Sequence, residues 1–389
     1  MYILQSPPVP YHPPWDQPFS ERLSMLMRGN RRIAYYYTEP DTSTFRYRVY
    51  NMVQAIQSAE DGVSASWFHR LDLDRMREVL QQVDVLVICR VMYSLESSLL
   101  ITLARNARVR ILYDVDDLVF DTDYAHLLCE SLDIPVTDAA LYHMFGLTAR
   151  HGQVLKQCDG AVTTNSFLAA KIEAFFGNPA AVVPNFLNRI QMLVSGEFWQ
   201  EKIDSGFERD DTVCIGYFSG SPSHNRDFRV ASAALLALMR EDPRLRLRLV
   251  GFLDPGTEWH EFRDRVEVLP LMDYLNLQRA IAEVEINIAP LQDNVFTNCK
   301  SELKYFEAAV CGALTLATPT HTFRESIRDG ENGWLCNAQE WDTKLRTAIN
   351  ALEAPRPVLE AARSHALESY GWHTHRGRIL QALLPDQVT

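Results

Sequence analysis

Short apolar runs alternate with longer amphipathic stretches along most of this chain, and the alternation happens twice. In the first half the runs occupy residues 32–37, 83–89, 109–113 and 160–164, with a shorter one at 180–184. After residue 210 the pattern restarts, with runs at 213–218, 245–250, 266–269, 286–289 and 314–317. Helical periods lie between them, at 50–56, 138–157 and the Ala/Leu-rich 229–240. Strands without in–out alternation are buried on both faces, and strands separated by helices pair in parallel. The expected fold is therefore α/β, with two Rossmann-like domains facing each other across a cleft. In open sheets of this kind ligands bind beyond the carboxyl ends of the strands. Chemistry is expected on strand-to-helix loops from both halves.

The boundaries follow from composition. Six of the first eighteen residues are proline, so residues 1–31 read as an extended arm followed by a short helix near 20–28. Residues 32–190 form the first domain, 191–210 a linker or linking helix charged at its end, and 211–352 the second domain. Residues 353–389 are expected to be helices crossing back to the first domain. A length of 389 residues suits two domains of this size.

With 38 Lys plus Arg against 50 Asp plus Glu, the formal charge of −12 argues against coating a nucleic-acid backbone but leaves room for a local anion pocket. The seven cysteines are scattered without metal-ligand spacing, which argues against a disulfide scaffold or a structural zinc and fits a reducing cytoplasm. No apolar stretch is long enough to span a membrane, and the N-terminus lacks a signal-peptide profile.

Two loops carry phosphate chemistry. The first, 216–228, leaves a strand through Gly220, Ser221 and His224 and enters a helix at Arg226. Small residues let an anion approach backbone amides at a helix N-terminus, and Arg226 adds a fixed charge. A plain Ser-rich turn with a surface Arg is the alternative. The second, 294–309, contains Cys299, Lys300, Ser301, Lys304 and Glu307, with a helix opening near Lys300. Lys300, Lys304 and Glu307 recur at helical spacing, which suits a nucleoside diphosphate: lysine for the charge, carboxylate for ribose hydroxyls. The same spacing also describes an ordinary surface ion pair. A third feature is the acidic run Asp114-Val115-Asp116-Asp117 after the strand at 109–113. Clustered carboxylates need solvent, partners or a metal. Acceptor orientation or hydroxyl activation is preferred here to a metal site, and a capped helix start remains open. Arg46, Arg48 and Arg90 face the expected cleft, where they would contact an anion or pair with that acidic run.

Residues 296–335 resemble the nucleotide-binding half of retaining GT-B glycosyltransferases, and glycosyltransferase family four in particular. The shared pattern is a helix with Glu307 before an Ala-rich Cys311-Gly312 turn, then a strand, Glu325, and Asp329-Gly330-Glu331-Asn332-Gly333. In the first half, Thr44–Arg48, Asp159–Ser166 with Asn165, and Val182–Asn185 agree with it. The resemblance implies sugar transfer from a nucleoside-diphosphate sugar to a hydroxyl acceptor with retention, needing neither metal nor cofactor. It also implies a saccharide, lipid-linked or protein acceptor, in polysaccharide or glycoconjugate synthesis. The setting would be cytoplasmic, with or without contact to the inner face of a membrane.

Carried over, Glu307 is the second Glu of the family's Glu-x7-Glu motif and would bind ribose. Its first Glu, on the donor sugar, is replaced by Cys299. The family's phosphate-binding Arg and Lys fall on Arg226 and Ser221, and Lys304 would restore the missing charge. Two other readings stay open: a sugar-nucleotide epimerase on the same fold, and a non-catalytic sugar-nucleotide-binding protein.

Overall fold

The computed structural model describes residues 1–220 and 225–385. The first sheet contains β1 (Arg31–Tyr37), β2 (Val63–His69), β3 (Val85–Cys89), β4 (Arg110–Asp114), β5 (Gly160–Thr163) and β6 (Ala180–Val182). All its pairings are parallel, in the order β2-β1-β3-β4-β5-β6. The second sheet contains β7 (Val213–Ser219), β8 (Leu245–Gly251), β9 (Val266–Leu269), β10 (Ile286–Ala289), β11 (Leu314–Ala317) and β12 (Trp334–Leu335). It too is parallel throughout, in the order β12-β11-β10-β7-β8-β9.

Every residue of β3, β5, β7, β10 and β11 is buried, because helices cover both faces of each sheet. That is why these strands read as apolar runs without alternation. Two strands escape that signal. The edge strand β2 mixes two serines and a histidine among its apolar residues, and β12 is only two residues long. In the first sheet the chain runs outward from β1 to β2 and resumes at β3 on the other side of β1; in the second it reverses between β7 and β10. Such reversals open a crevice at the carboxyl edge of a sheet. Gly251, at the end of β8, has φ +99°, and a Cβ there would lie 1.8 Å from the Ser219 carbonyl oxygen. Glycine thus allows the ends of β7 and β8 to meet beside the cleft.

The segment expected as a linker is mostly a helix, Arg189–Asp204. Asn188 and Gln191 cap its start reciprocally, so the charged tail does not prevent helix formation. It lies on the second domain: Ser195 donates to Gln278 at 3.0 Å, and the buried Lys202 ammonium donates to the carbonyls of Cys311 and Gly312. The terminal helix Arg376–Leu383 sits on the first domain. Arg376 donates to the Ile56 carbonyl, Arg110 to the Leu383 carbonyl, and His375 stacks on Phe186 at 4.7 Å.

The proline-rich arm is extended and touches both domains. Val9 exchanges two hydrogen bonds with Asn276 of the second domain, at 2.9 and 3.0 Å. Trp15 packs edge-on to Phe45 and Tyr50 of the first domain and stacks on Tyr274 of the second. A short helix, Phe19–Leu26, follows, with Arg22 buried in a bidentate ion pair with Asp72.

Candidate active site

A cavity of about 710 Å³ lies between the carboxyl edges of the two sheets, at both chain reversals. Loops after β1, β3 and β4 form one wall. The end of β7 and the segment from Phe296 to Glu307 form the other. Arg46, Arg90, Asp116, Asp117, Gly220, Lys300, Lys304 and Glu307 all line it.

A turn of π-helix, Arg46–Tyr50, begins the helix that continues as Asn51–Ile56. Arg46, Tyr47, Arg48 and Val49 in this turn are all buried. Arg46 and Tyr47 reach across the domain boundary to Glu307. Arg46 Nη2 lies 3.3 Å from Glu307 Oε1; the Tyr47 hydroxyl donates to the same oxygen, and Gln191 Nε2 approaches it at 3.4 Å. Arg46 Nη1 is buried and has no hydrogen-bond partner among the described residues. The carboxylate expected to take ribose thus has one oxygen occupied by the first domain.

Arg48 turns the other way. It grips Asp114 through two bonds of 2.8 and 2.9 Å and donates to the Val183 carbonyl and Asn185, with both partners essentially sealed. Burial pushes the Asp114 carboxyl upward against the pull of Arg48. This corrects the expectation that Asp114 acts on a substrate, whereas Arg48 takes the second of its two expected roles, pairing with the acidic run: both are consumed in an ion pair behind the cavity wall. Asp116 and Asp117 do reach the cavity. Arg90 Nη1 bridges them at 2.8 and 3.3 Å, and Thr44 donates to Asp116 at 3.1 Å. Burial opposes ionisation of Asp116, but Arg90, Arg48 and the Thr44 hydroxyl hold its carboxyl below the ordinary value. Arg90 has φ +50°, a conformation uncommon outside glycine, and its amide donates to the Asp114 carbonyl. The acidic run is thus divided between two guanidiniums. Among the described residues, no group of three or more His, Cys, Asp or Glu side chains is arranged to hold a metal.

Lys304 is the cation closest to the sequence expectation. Its Nζ is buried without a hydrogen-bond partner among the described residues and lies 4.0 Å from the centre of the Tyr217 ring. Burial pulls its ammonium down to about 8. Lys300 lies 3.8 Å from Asp117 and over the Phe296 ring, joining the two domains. The helix opens at Leu303, later than expected, leaving Ser301 ahead of it with its hydroxyl on Glu302. Arg226 does not line the cavity; its Nε pairs at 2.9 Å with Asp133 of the first domain. Ser221 and His224 lie outside the described residues.

Cys299 is fully buried among first-domain apolar residues, and its thiol is pushed up to about 12 by burial. Its side chain is thus not placed to contact a donor sugar. Asn165 is likewise structural: its amide donates to the Cys299 carbonyl at 2.9 Å, and its oxygen caps the helix Ser166–Phe176.

Two cavity residues on the helix Asp138–Leu155 carried no sequence signal. His151 is bonded through Nδ1 to the Tyr113 hydroxyl at 2.9 Å, and that hydroxyl donates to the Val91 carbonyl at 3.1 Å. Thr148 lines the cavity too, and its Oγ1 is buried without a hydrogen-bond partner among the described residues. Their three-residue spacing on one helical face was the available clue, but a single His and Thr in a long amphipathic helix do not stand out.

Residues 211–354 match the family model described as "Glycosyl transferases group 1". No curated protein matches the chain in sequence. Among solved structures, the chain is similar to HepE from Anabaena in complex with UDP and glucose, at 12% identity and a TM-score of 0.60, over 90% of this chain and 98% of that one. It is similar to WaaG, a glycosyltransferase involved in lipopolysaccharide biosynthesis, at 12% identity and 0.59 over the same shares. Sucrose-phosphate synthase from Thermosynechococcus elongatus aligns at 14% identity and 0.55, over 90% and 96%. The two facing parallel sheets are the GT-B architecture.

Proposed function

We propose that this chain is a glycosyltransferase of the family-four kind, moving a sugar from a nucleoside-diphosphate sugar, with uridine as the base, to a hydroxyl acceptor. One observation carries this reading. Lys304 and Arg46, from opposite domains, line one cavity, and each carries a buried nitrogen, Nζ and Nη1, without a hydrogen-bond partner among the described residues. Leaving such groups unpaired is costly, and a bound diphosphate supplies the missing acceptors. The family match over residues 211–354 and the UDP held by HepE support a nucleotide sugar as the source of that anion.

In the proposed reaction the bond from the anomeric carbon to the diphosphate breaks, one to the acceptor oxygen forms on the same face, and the acceptor's proton passes to the departing diphosphate oxygen, without a required metal. Lys304 and Lys300 stabilise the charge growing on the leaving group, a preorganised electrostatic effect. Arg226 joins them when it exchanges Asp133 for phosphate. Glu307, with Oε1 fixed by Arg46 and Tyr47, offers its second oxygen to ribose. The acceptor enters from the first-domain wall. Synthesis of a polysaccharide or glycoconjugate in the cytoplasm completes the reading; its support is the sequence resemblance and the likeness to WaaG.

Calorimetric titration with UDP and UDP-glucose tests the donor half, and acceptor-dependent UDP release tests transfer. Glu307→Ala and Lys304→Met should each weaken UDP binding about tenfold or more. Failure of uridine, guanosine and thymidine diphosphates alike to bind would overturn the proposal. Cys299, in place of a donor-sugar carboxylate, favours one rival, a non-catalytic binder. UDP-glucose binding without turnover across an acceptor panel would establish that rival.

A further inference from the structure

On the first-domain side of the cavity, the helix Asp138–Leu155 presents two polar groups with unmet hydrogen-bonding capacity. The Tyr113 hydroxyl has one proton, and the Val91 carbonyl 3.1 Å away can only accept. The His151 ring must therefore donate its Nδ1 proton to Tyr113, which leaves Nε2 as a bare acceptor. The hydrogen bonds of His151 among the described residues end at Nδ1. One helical turn earlier, Thr148 is 1% exposed and its Oγ1 has no partner among the described residues. A buried hydroxyl without a partner is uncommon. An acceptor nitrogen one helical turn from an idle hydroxyl, both on residues that line the cavity, matches a ligand group that both donates and accepts, and an alcohol does both. On this side Val119, Leu128, Leu132, Met144 and Leu147 give the cavity an apolar stretch, with Arg90 and Asp116 also near His151.

We propose that His151 Nε2 and Thr148 Oγ1 hold the hydroxyl of the glycosyl acceptor, and that this acceptor carries an apolar group against Leu128, Leu132, Met144 and Leu147. The assignment rests on the glycosyltransferase reading above and names its acceptor class: an alcohol on a partly apolar scaffold. The incoming hydroxyl donates to Nε2 and accepts from Thr148, which fixes its lone pair relative to the donor held by Lys304. His151 is a positioning group here. Burial, with Arg90 and Arg150 nearby, pushes its imidazole down to about 3, too low to take up a proton at neutral pH.

The test uses the full chain with UDP bound and n-hexyl β-D-glucoside as the probe, with free glucose alongside. Wild type should bind the alkyl glucoside more tightly than glucose. His151→Phe and Thr148→Val should each weaken that binding roughly three- to tenfold, as expected for one lost hydrogen bond. Affinity for UDP should not change. Where transfer from UDP-glucose is measurable, the loss should fall mainly on the acceptor KM. Thr148→Val removes a group that makes no bond in the protein, so it keeps the test valid if His151→Phe unfolds. Unchanged alkyl-glucoside affinity in both variants, or no preference over glucose in a wild type that binds UDP, overturns the proposal. A wild type that binds none of the uridine, guanosine and thymidine diphosphates fails the glycosyltransferase reading instead.

Discussion

Replacing Lys304 by methionine should separate the stability of this protein from its function. The lysine Nζ is buried, with a ring face but no hydrogen-bond acceptor beside it. Burial brings its ammonium from 10.5 to about 8. At roughly 1.36 kcal/mol per pKa unit, holding the charge there costs the empty protein about 3 kcal/mol below pH 8. Methionine fills similar space without the charge, so Lys304→Met should be more stable at pH 7 by up to about 3 kcal/mol and should lose diphosphate binding. The sign can be followed with pH. Between about 8 and 10.5 the unfolded wild type holds a proton that the folded one has released, so wild-type stability rises with pH across that window. Urea unfolding at pH 7 and pH 10 should show the gap between variant and wild type narrowing at the higher pH. A variant less stable than wild type at pH 7, or a gap that ignores pH, would refute the reasoning. UDP should close the gap from the other direction, adding about 2.7 kcal/mol to wild type at a hundredfold excess over its Kd and at most about 1.4 kcal/mol to a variant that binds tenfold or more weakly.

Other expectations follow from particular contacts. Cys299→Glu, which restores the family's first carboxylate, should lower the melting temperature sharply and leave donor affinity no better, because that side chain sits in an apolar cluster; a stable variant with tighter UDP-glucose binding would contradict this. Asp133→Ala should free Arg226 for phosphate and tighten UDP binding about two- to fivefold in low salt, the scale of a partly exposed ion pair; weaker binding by calorimetry would count against it. Arg48→Ala should cost about 3–5 kcal/mol in chemical unfolding by stranding the Asp114 carboxylate, and a loss under 1 kcal/mol would show that the pair is dispensable.

Much of the architecture was visible in the apolar runs, since strands buried on both faces cannot conceal their composition. The edge strand β2 was not, because its Ser64 and Ser66 interrupt the run. The loops after strands also pointed to residues that share one cavity, Arg46, Arg90, Asp116, Asp117, Lys300, Lys304 and Glu307 among them. What sequence could not supply was the pairing. Arg46 and Arg48 look interchangeable on paper, yet one reaches Glu307 and the other Asp114. Arg226 finds its partner in the other domain, on a residue with φ +55° at a loop between helices. His151 depends on a tyrosine from β4, a contact that spans 38 residues and that helical periodicity does not encode.

The proline-rich arm bears on how this molecule can breathe. Trp15 is wedged between Phe45 and Tyr50 on one lobe and Tyr274 on the other, and Tyr274 is itself part of the cavity lining. Separating the lobes on that flank would peel an indole from its stack and break the Val9–Asn276 pair. Away from the arm the lobes also meet through polar contacts, among them Arg226 with Asp133, Ser166 with His321 and Lys300 with Asp117. The arm thus works as a clasp laid across both lobes, and its indole ties the flank that borders the cavity.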